Sequence, residues 1–174
     1  VKKSNQMIDI TSEATRSITE SSKFKVEGLS IENQISVANY IRDYLNNPTH
    51  AGELIPMVAS LTNNGIVAQI TEYNDAILRR QKLLENSSER SPVIQDMDNV
   101  LAAVRRSIIA SLNSHVSTLE IQLTNMRKEE ALANHRISTM PSQEKVLLDI
   151  MRQQKIKEEL FLYLLNKQEE TQLN

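Results

Sequence analysis

The sequence predicts an all-α fold of long antiparallel helices that form an elongated coiled-coil bundle. Only three of the 174 residues are glycine and four are proline, whereas β-sandwiches and α/β domains use more glycine at their turns. Aromatic residues make up 3% of the chain and tryptophan is absent, so aliphatic side chains must fill a narrow core. Over most of the chain apolar residues recur every three or four positions, as one buried face of a helix requires.

The N-terminal part is predicted to be a weak helical segment over residues 1–30, followed by a coiled-coil domain over 31–174. Its apolar residues are sparse but helically spaced: Met7, Ile10, Ala14 and Ile18. Seven Ser and Thr residues lie between Thr11 and Ser22, and their side chains compete for backbone hydrogen bonds. We expect Gly28 to end this segment.

The coiled-coil domain is predicted to contain helices over about 31–46, 66–86, 92–138 and 142–171. The first ends before Pro48, because the residue preceding a proline disfavours the helical conformation. Residues 48–65 hold two of the three glycines and two of the four prolines, which predicts a connector that reverses the chain. Ser91 suits an N-cap with Pro92 at the first helical position.

The last helix carries the most unusual pattern. A polar cluster, Arg152 to Lys155, interrupts its apolar positions, and Phe161 to Leu165 is apolar on every side. Such a turn must be covered all round, either by its own bundle or by neighbouring subunits. Gln153 lies where the stripe would place an apolar residue. It either fixes register and oligomeric state inside a seam, or belongs to a solvent-exposed turn where the bundle widens.

Charge and composition exclude several classes of function. The formal net charge is −2, from 20 basic and 22 acidic residues, so the basic excess that phosphate binding requires is missing and we predict no nucleic-acid partner. Cysteine is absent, which excludes disulfides and thiolate metal sites. No apolar run approaches the 18 or so residues that span a bilayer.

No catalytic, cofactor-binding or metal-ligating residues are predicted, and no small-molecule substrate. The three histidines, His50, His115 and His135, have neither of the spacings typical of zinc or di-iron helices. No Gly-rich phosphate loop and no nucleophile elbow occurs. His115 lies on an apolar stripe and is interpreted as a partly buried bundle histidine. Neighbouring carboxylates and arginine pairs are interpreted as solvated helix faces.

The C-terminal residues carry a family resemblance. The ordered string runs through Pro141-Ser-Gln-Glu144, Leu147-Leu-Asp-Ile150, Arg152-Gln-Gln-Lys-Ile-Lys157, Leu160-Phe-Leu-Tyr-Leu-Leu165 and Lys167-Gln-Glu-Glu170. It resembles the end of the periplasmic coiled coil in polysaccharide co-polymerases of the Wzz/Wzc type, above all the chain-length determinant and tyrosine-kinase proteins of Bacteroidetes. Weaker similarities lie upstream, at Leu54-Ile-Pro56, Ile70-Thr-Glu-Tyr-Asn74 and Ser91-Pro92-Val93. The string departs from the family pattern at Lys145, Phe161 and Asn166, where Arg, Tyr and Gln are expected.

The resemblance implies a function through assembly. Members of this family are inner-membrane proteins that form homo-oligomeric rings. They set the length or the export of capsular, exopolysaccharide or O-antigen chains, beside a polysaccharide polymerase and an outer-membrane export channel. Many carry a separate cytoplasmic tyrosine-kinase domain, whose phosphate loop and tyrosine-rich tail this chain does not contain. On this basis the candidate inter-helix and oligomer contacts are Arg152, Gln153, Gln154, Phe161, Tyr163, Leu164 and Lys167.

Two other classes remain open at this point. A periplasmic helical-hairpin adaptor of a secretion or efflux system would also be a long antiparallel coiled coil, and the segments flanking it in its gene would distinguish it. An enzyme acting on the glycan is disfavoured, because aromatic sugar platforms and a convincing carboxylate pair are missing. Because the chain begins at Val1 and not at Met, we expect it to be a piece of a longer protein.

Overall fold

The computed structural model confirms the all-α fold class. It describes the backbone of residues 2–140 and 142–172, and side chains within 12–140 and 146–168. The fold is 85% helical and contains four long helices. The helices are α1 (Lys2–Asn46), α2 (Asn64–Leu84), α3 (Pro92–Ser138) and α4 (Ser142–Gln172), with one 3₁₀ turn at Pro48–His50. Within the described ranges, none of these helices combines the length and the hydropathy that a bilayer crossing requires.

The helix break predicted at Gly28 is wrong, because α1 continues through it without interruption. Gly28 is buried, and a Cβ added to it would lie 3.7 Å from Cδ1 of Leu123 on α3. The weak helix propensity of the N-terminal segment is overcome by packing. Its serines at 17, 21 and 22 are at most 2% exposed, so they belong to the interior and not to a frayed end.

The chain folds into two compact units. The first comprises Val1–Asn33 with Glu120–Asn174, and the second comprises Gln34–Leu119. In the first unit, Arg136 donates a hydrogen bond to Glu20, and Arg127 donates one to Glu32. A higher residue number on α1 thus pairs with a lower one on α3. The two helices are therefore antiparallel there. Ala14, Ile18, Ile137 and Leu148 form the apolar core of this unit, with Met140 and Met151 packed against it.

The second unit holds the larger apolar core. In it α2 and α3 are antiparallel, since Gln69 bonds to Ser107 and Arg80 pairs with Asp98 further along. Thirteen buried residues form its core: Ala38, Ile41, Leu45, Ile55, Leu61, Ile66, Ile70, Tyr73, Ile77, Leu101, Ile108, Leu112 and Val116. The isoleucines at helical spacing on α2 are those whose periodicity predicted the helix.

The connector between α1 and α2 is fixed by polar side chains. Asn74 of α2 accepts a hydrogen bond from the backbone N–H of Ile55 at 2.8 Å and donates one to its carbonyl oxygen at 2.9 Å. Tyr44 donates to Glu53 at 2.9 Å, and its ring stacks on His50 with centroids 4.0 Å apart. The two bonds of Asn74 satisfy backbone groups of Ile55 that have no helical partner, which lets an irregular segment lie against the core.

Candidate interaction surface on the fourth helix

Helix α4 has one face against its own unit and one face exposed to solvent. Leu148 is 4% exposed and anchors the inner face. Beyond it the inner positions are only half-buried: Met151, Arg152, Lys155, Ile156, Glu159, Leu160, Tyr163 and Lys167. Five of these eight side chains are charged or carry a hydroxyl group. The apolar contact that holds α4 to its unit is therefore concentrated near the start of the helix.

Arg152 lies at the centre of the inner face. It donates from Nη1 to Oδ1 of Asn134 on α3 at 3.4 Å, and the same oxygen accepts a hydrogen bond from Ser21 of α1 at 2.6 Å. The Nε atom of Arg152 is buried and has no hydrogen-bond partner among the described residues. A buried donor without a partner costs about 1–3 kcal/mol. This polar layer therefore contributes specificity of helix placement more than stability.

Two further polar contacts continue along the inner face. The Oγ atom of Ser22, which is fully buried, lies 3.0 Å from the carbonyl oxygen of Thr19 and 3.3 Å from Oε1 of Glu159, so its single proton is shared between these two acceptors. Near the end of the helix, Nζ of Lys167 lies 5.8 Å from the ring centroid of Tyr163, within the range of a cation–π contact. The Ser22–Glu159 contact therefore joins α4 to α1 through polar groups, whereas the Lys167–Tyr163 contact lies within α4.

The solvent-exposed face of α4 carries two groups of large apolar side chains. The first is Val146, Leu147 and Ile150, which are 66%, 61% and 52% exposed. The second follows one to two turns after a polar stretch: Phe161, Leu162, Leu164 and Leu165, which are 64%, 51%, 63% and 40% exposed. We call these seven residues the outer apolar face. Each group places several large exposed apolar side chains close together on one helix, unlike hydrophobic side chains scattered singly over a surface, and such patches mark interaction sites.

The residues predicted as contacts are divided between the two faces. Arg152, Tyr163 and Lys167 lie on the inner face and are half-buried. Gln153, Gln154, Phe161 and Leu164 are exposed. Gln153 and Gln154 therefore lie in a solvent-exposed turn of this chain, between the two groups of the outer apolar face. Whether a neighbouring chain places them in a seam stays a prediction.

Several residues that build this region were missed from the sequence. Ser21, Ser22 and Asn134 tie α4 to α1 and α3, yet their residue types predicted only a weak or solvated helix. The recurrence of small residues at Ala14, Ser17 and Ser21 could have indicated that α1 approaches its neighbours closely. Asn134 gave no signal, because a single polar residue on a long helix is ordinarily exposed.

His50 and His115 each lie within hydrogen-bond distance of a polar side chain. His50 pairs with Glu53 at 2.9 Å, and this hydrogen bond, followed by that from Tyr44, lowers the pKa of the Glu53 carboxyl. His115 is half-buried on α3, and burial lowers its pKa. Its Nδ1 lies 3.4 Å from Nδ2 of Asn63. In the part of the chain that the structure describes, no three His, Asp or Glu side chains are grouped so that they could hold a metal ion.

Comparison of the chain with protein families, with curated proteins and with solved structures gives no match. The class that the fold and this region define is therefore an all-α helical bundle with an exposed apolar face on its last helix.

Proposed function

We propose that this chain is the periplasmic coiled-coil scaffold of a polysaccharide co-polymerase in the bacterial inner membrane. It would control the chain length or the export of a capsular polysaccharide, an exopolysaccharide or an O-antigen. Support comes from the ordered residues between Pro141 and Glu170 that resemble this family. It also comes from the position of these residues, since those from Ser142 onward build α4 and carry the outer apolar face.

The observation that carries the proposal is the exposure of Phe161 and Leu164. Each is more than 60% exposed in the isolated chain, and fully burying a side chain of this size is worth about 1.5–3 kcal/mol. A partner surface that covers both therefore gains substantially, and a scaffold that works by assembly needs such a surface. We assign it to a second copy of the chain within a homo-oligomer of the full-length protein.

The polar groups of the inner face suit the same role. The hydrogen bonds through Asn134 fix the rotation of α4 about its axis, because turning the helix would separate Arg152 from it. That rotation decides which apolar side chains face outward. The scaffold would then act beside the polysaccharide polymerase and the outer-membrane export channel, and the proposal assigns no catalytic residue to this chain. A tyrosine-kinase activity of the parent would belong to a separate cytoplasmic domain.

Deletion of the gene in the bacterium that carries it tests the proposal. We expect the surface polysaccharide to lose its preferred chain length or to disappear from the surface, as seen by gel electrophoresis of extracted polymer. Restoring the gene in trans should restore the distribution. A polysaccharide profile that is the same with and without the gene would contradict the proposed function.

A double variant ties the phenotype to the outer apolar face. Phe161→Ser with Leu164→Ser should reproduce the deletion phenotype, because both side chains are exposed and their loss leaves the core of the unit intact. Ile121→Ser is the matched control, since Ile121 is 65% exposed on α3 of the same unit. If the control alters the polymer as much as the double variant does, assembly through α4 is not the cause.

A further inference from the structure

A concave pocket in the second unit has the chemistry of a sugar-binding site. Its volume is about 430 Å³, and four segments of the chain converge on it: the connector, α2, the turn after α2, and α3. This volume lies within the range of about 300–1,000 Å³ that small-molecule sites occupy. None of its residues belongs to α4, so the pocket is separate from the outer apolar face.

The floor of the pocket is apolar. Tyr73 and Ile77 of α2 and Leu101 of α3 are at most 6% exposed, and Ala102 lies beside them. Ala102 is itself exposed, and its small side chain leaves the space above the floor open. Such a surface packs against the C–H face of a pyranose ring, which is the apolar side of a sugar.

The rim of the pocket carries two cations and two anions. Arg80 donates to both carboxylate oxygens of Asp98, which raises the pKa of the guanidinium. Arg105 donates from one Nη to the backbone carbonyl of Leu45, at the end of α1. Glu89 has no hydrogen bond or ion pair with any other described residue. The charge of Glu89 also contributes to raising the pKa of Arg80. The rim therefore retains guanidinium N–H groups and a carboxylate that form no hydrogen bond with another described residue.

This balance selects among ligands. Glu89 and Asp98 would repel an anionic ligand, and Arg80 and Arg105 would repel a cationic one. The rim therefore favours neither sign of charge. A purely apolar ligand would bury four charged groups without replacing their hydrogen bonds. An uncharged polyhydroxylated ligand suits both kinds of charged group on the rim, because a hydroxyl can donate a hydrogen bond to a carboxylate and accept one from a guanidinium.

We propose that this pocket, between Gly52, Arg80, Glu89 and Arg105, binds an uncharged sugar unit. The choice of a polysaccharide as the source of that sugar rests on the proposed function, in which the chain lies beside a growing polymer. The scaffold would thereby hold the polymer directly as well as its polymerising partners. No exposed aromatic ring lines the pocket, so we expect a dissociation constant of about 1 mM.

Titration of the whole chain with neutral oligosaccharides, followed by ¹H–¹⁵N NMR, tests the inference. The probes are oligomers of glucose, of galactose and of mannose, each raised to about 20 mM, well above the expected dissociation constant. We expect saturating shifts of the amide signals of Ala51, Gly52 and Ala102 with at least one of them. Glucuronate is the anionic comparison and should bind more weakly.

Matched variants assign the shifts to the pocket. Ala102→Leu fills the space above the floor and should abolish them, whereas Ala103→Leu, exposed on the same helix but outside the pocket, should retain them. Glu89→Ala removes one charge-assisted hydrogen bond and should weaken binding about tenfold.

Four results would overturn the inference. The first two are the absence of amide shifts with every neutral probe, and tighter binding of glucuronate than of the neutral sugars. The third is an equal loss of the shifts in Ala102→Leu and Ala103→Leu. The fourth is amide shifts that depend on protein concentration without sugar, which would indicate a second copy in the pocket. Sugar binding by a chain whose deletion leaves the polymer unchanged would instead refute only the proposed function.

Discussion

The two hydrogen bonds between Asn74 and the backbone of Ile55 hold the connector against the core of the second unit. Ile55 is 2% exposed, and the bonds measure 2.8 and 2.9 Å. In Asn74→Ala the N–H and the carbonyl of Ile55 lose their partners together. Each buried group left without a partner costs about 1–3 kcal/mol. Because Asn74 is itself only half-buried and water can enter the space it leaves, we expect a loss of about 2–3 kcal/mol.

Urea unfolding followed by circular dichroism measures this loss. Asn99→Ala is the control, because Asn99 is exposed on α3 and the substitution changes only helix propensity. Asn74→Asp keeps the acceptor for the N–H of Ile55 but loses the donor to its carbonyl, so its stability should lie between wild type and Asn74→Ala. A difference between the two alanine variants below about 0.5 kcal/mol would refute the role assigned to Asn74.

Three further substitutions test the packing and the charge of the bundle. Gly28→Ala should raise the melting temperature, gaining about 0.5–1 kcal/mol, because the new methyl group meets Leu123 at 3.7 Å, an ordinary contact; a lower melting temperature would show that the helices pack more closely there. Leu148→Ala should cost about 2–4 kcal/mol in urea unfolding, whereas the adjacent Leu147→Ala, at a position 61% exposed, should cost less than about 0.5 kcal/mol. Equal losses would place α4 in a different rotation. Burial lowers the pKa of His115, so the unfolded state binds its proton first and stability should fall as pH drops below about 6.5. His115→Gln should make the unfolding free energy less dependent on pH between about 7 and 5, and an unchanged dependence would contradict the assignment.

The long periodic segments could be predicted because burial sets their pattern. On α2, Ile66, Ile70, Tyr73 and Ile77 are all at most 3% exposed, and their spacing alone defines the face. The connector was predicted from Pro48 and the glycines. The conformation of the connector could not be predicted, because it depends on the side-chain amide of Asn74, which lies 19 residues after Ile55 in the sequence.

The N-terminal part of α1 shows where local propensity misleads. Serine and threonine lower helix propensity by a few tenths of a kcal/mol each, which predicted a weak segment. In the structure Ser17, Ser21 and Ser22 are buried where α1 meets its neighbours. Tertiary packing outweighs the local cost, and no single-segment pattern contains that information.

On α4 the sequence predicted a polar interruption at Arg152–Lys155 and a turn, Phe161–Leu165, that is apolar on every side, but not which side the chain itself covers. The answer depends on residues of other helices, since Leu148 packs in the core with Ile18 and Ile137 and Arg152 donates a hydrogen bond to Asn134. The two faces then separate into a polar inner one and an apolar outer one. This division could not be predicted from α4 alone.

Assembly of the chain through α4 requires a second copy to cover the outer apolar face. The chain contains no cysteine, so Leu164→Cys places a photoactivatable maleimide crosslinker at one defined position of it. The test uses cells that express the whole gene, in which any cysteine outside this chain is first replaced by serine. We predict that irradiation captures a second copy of the same protein, seen as a covalent dimer on a denaturing gel, and that the equally exposed Ile121→Cys gives little or none. No dimer from Leu164→Cys, or dimers of equal yield from both positions, would contradict assembly through α4.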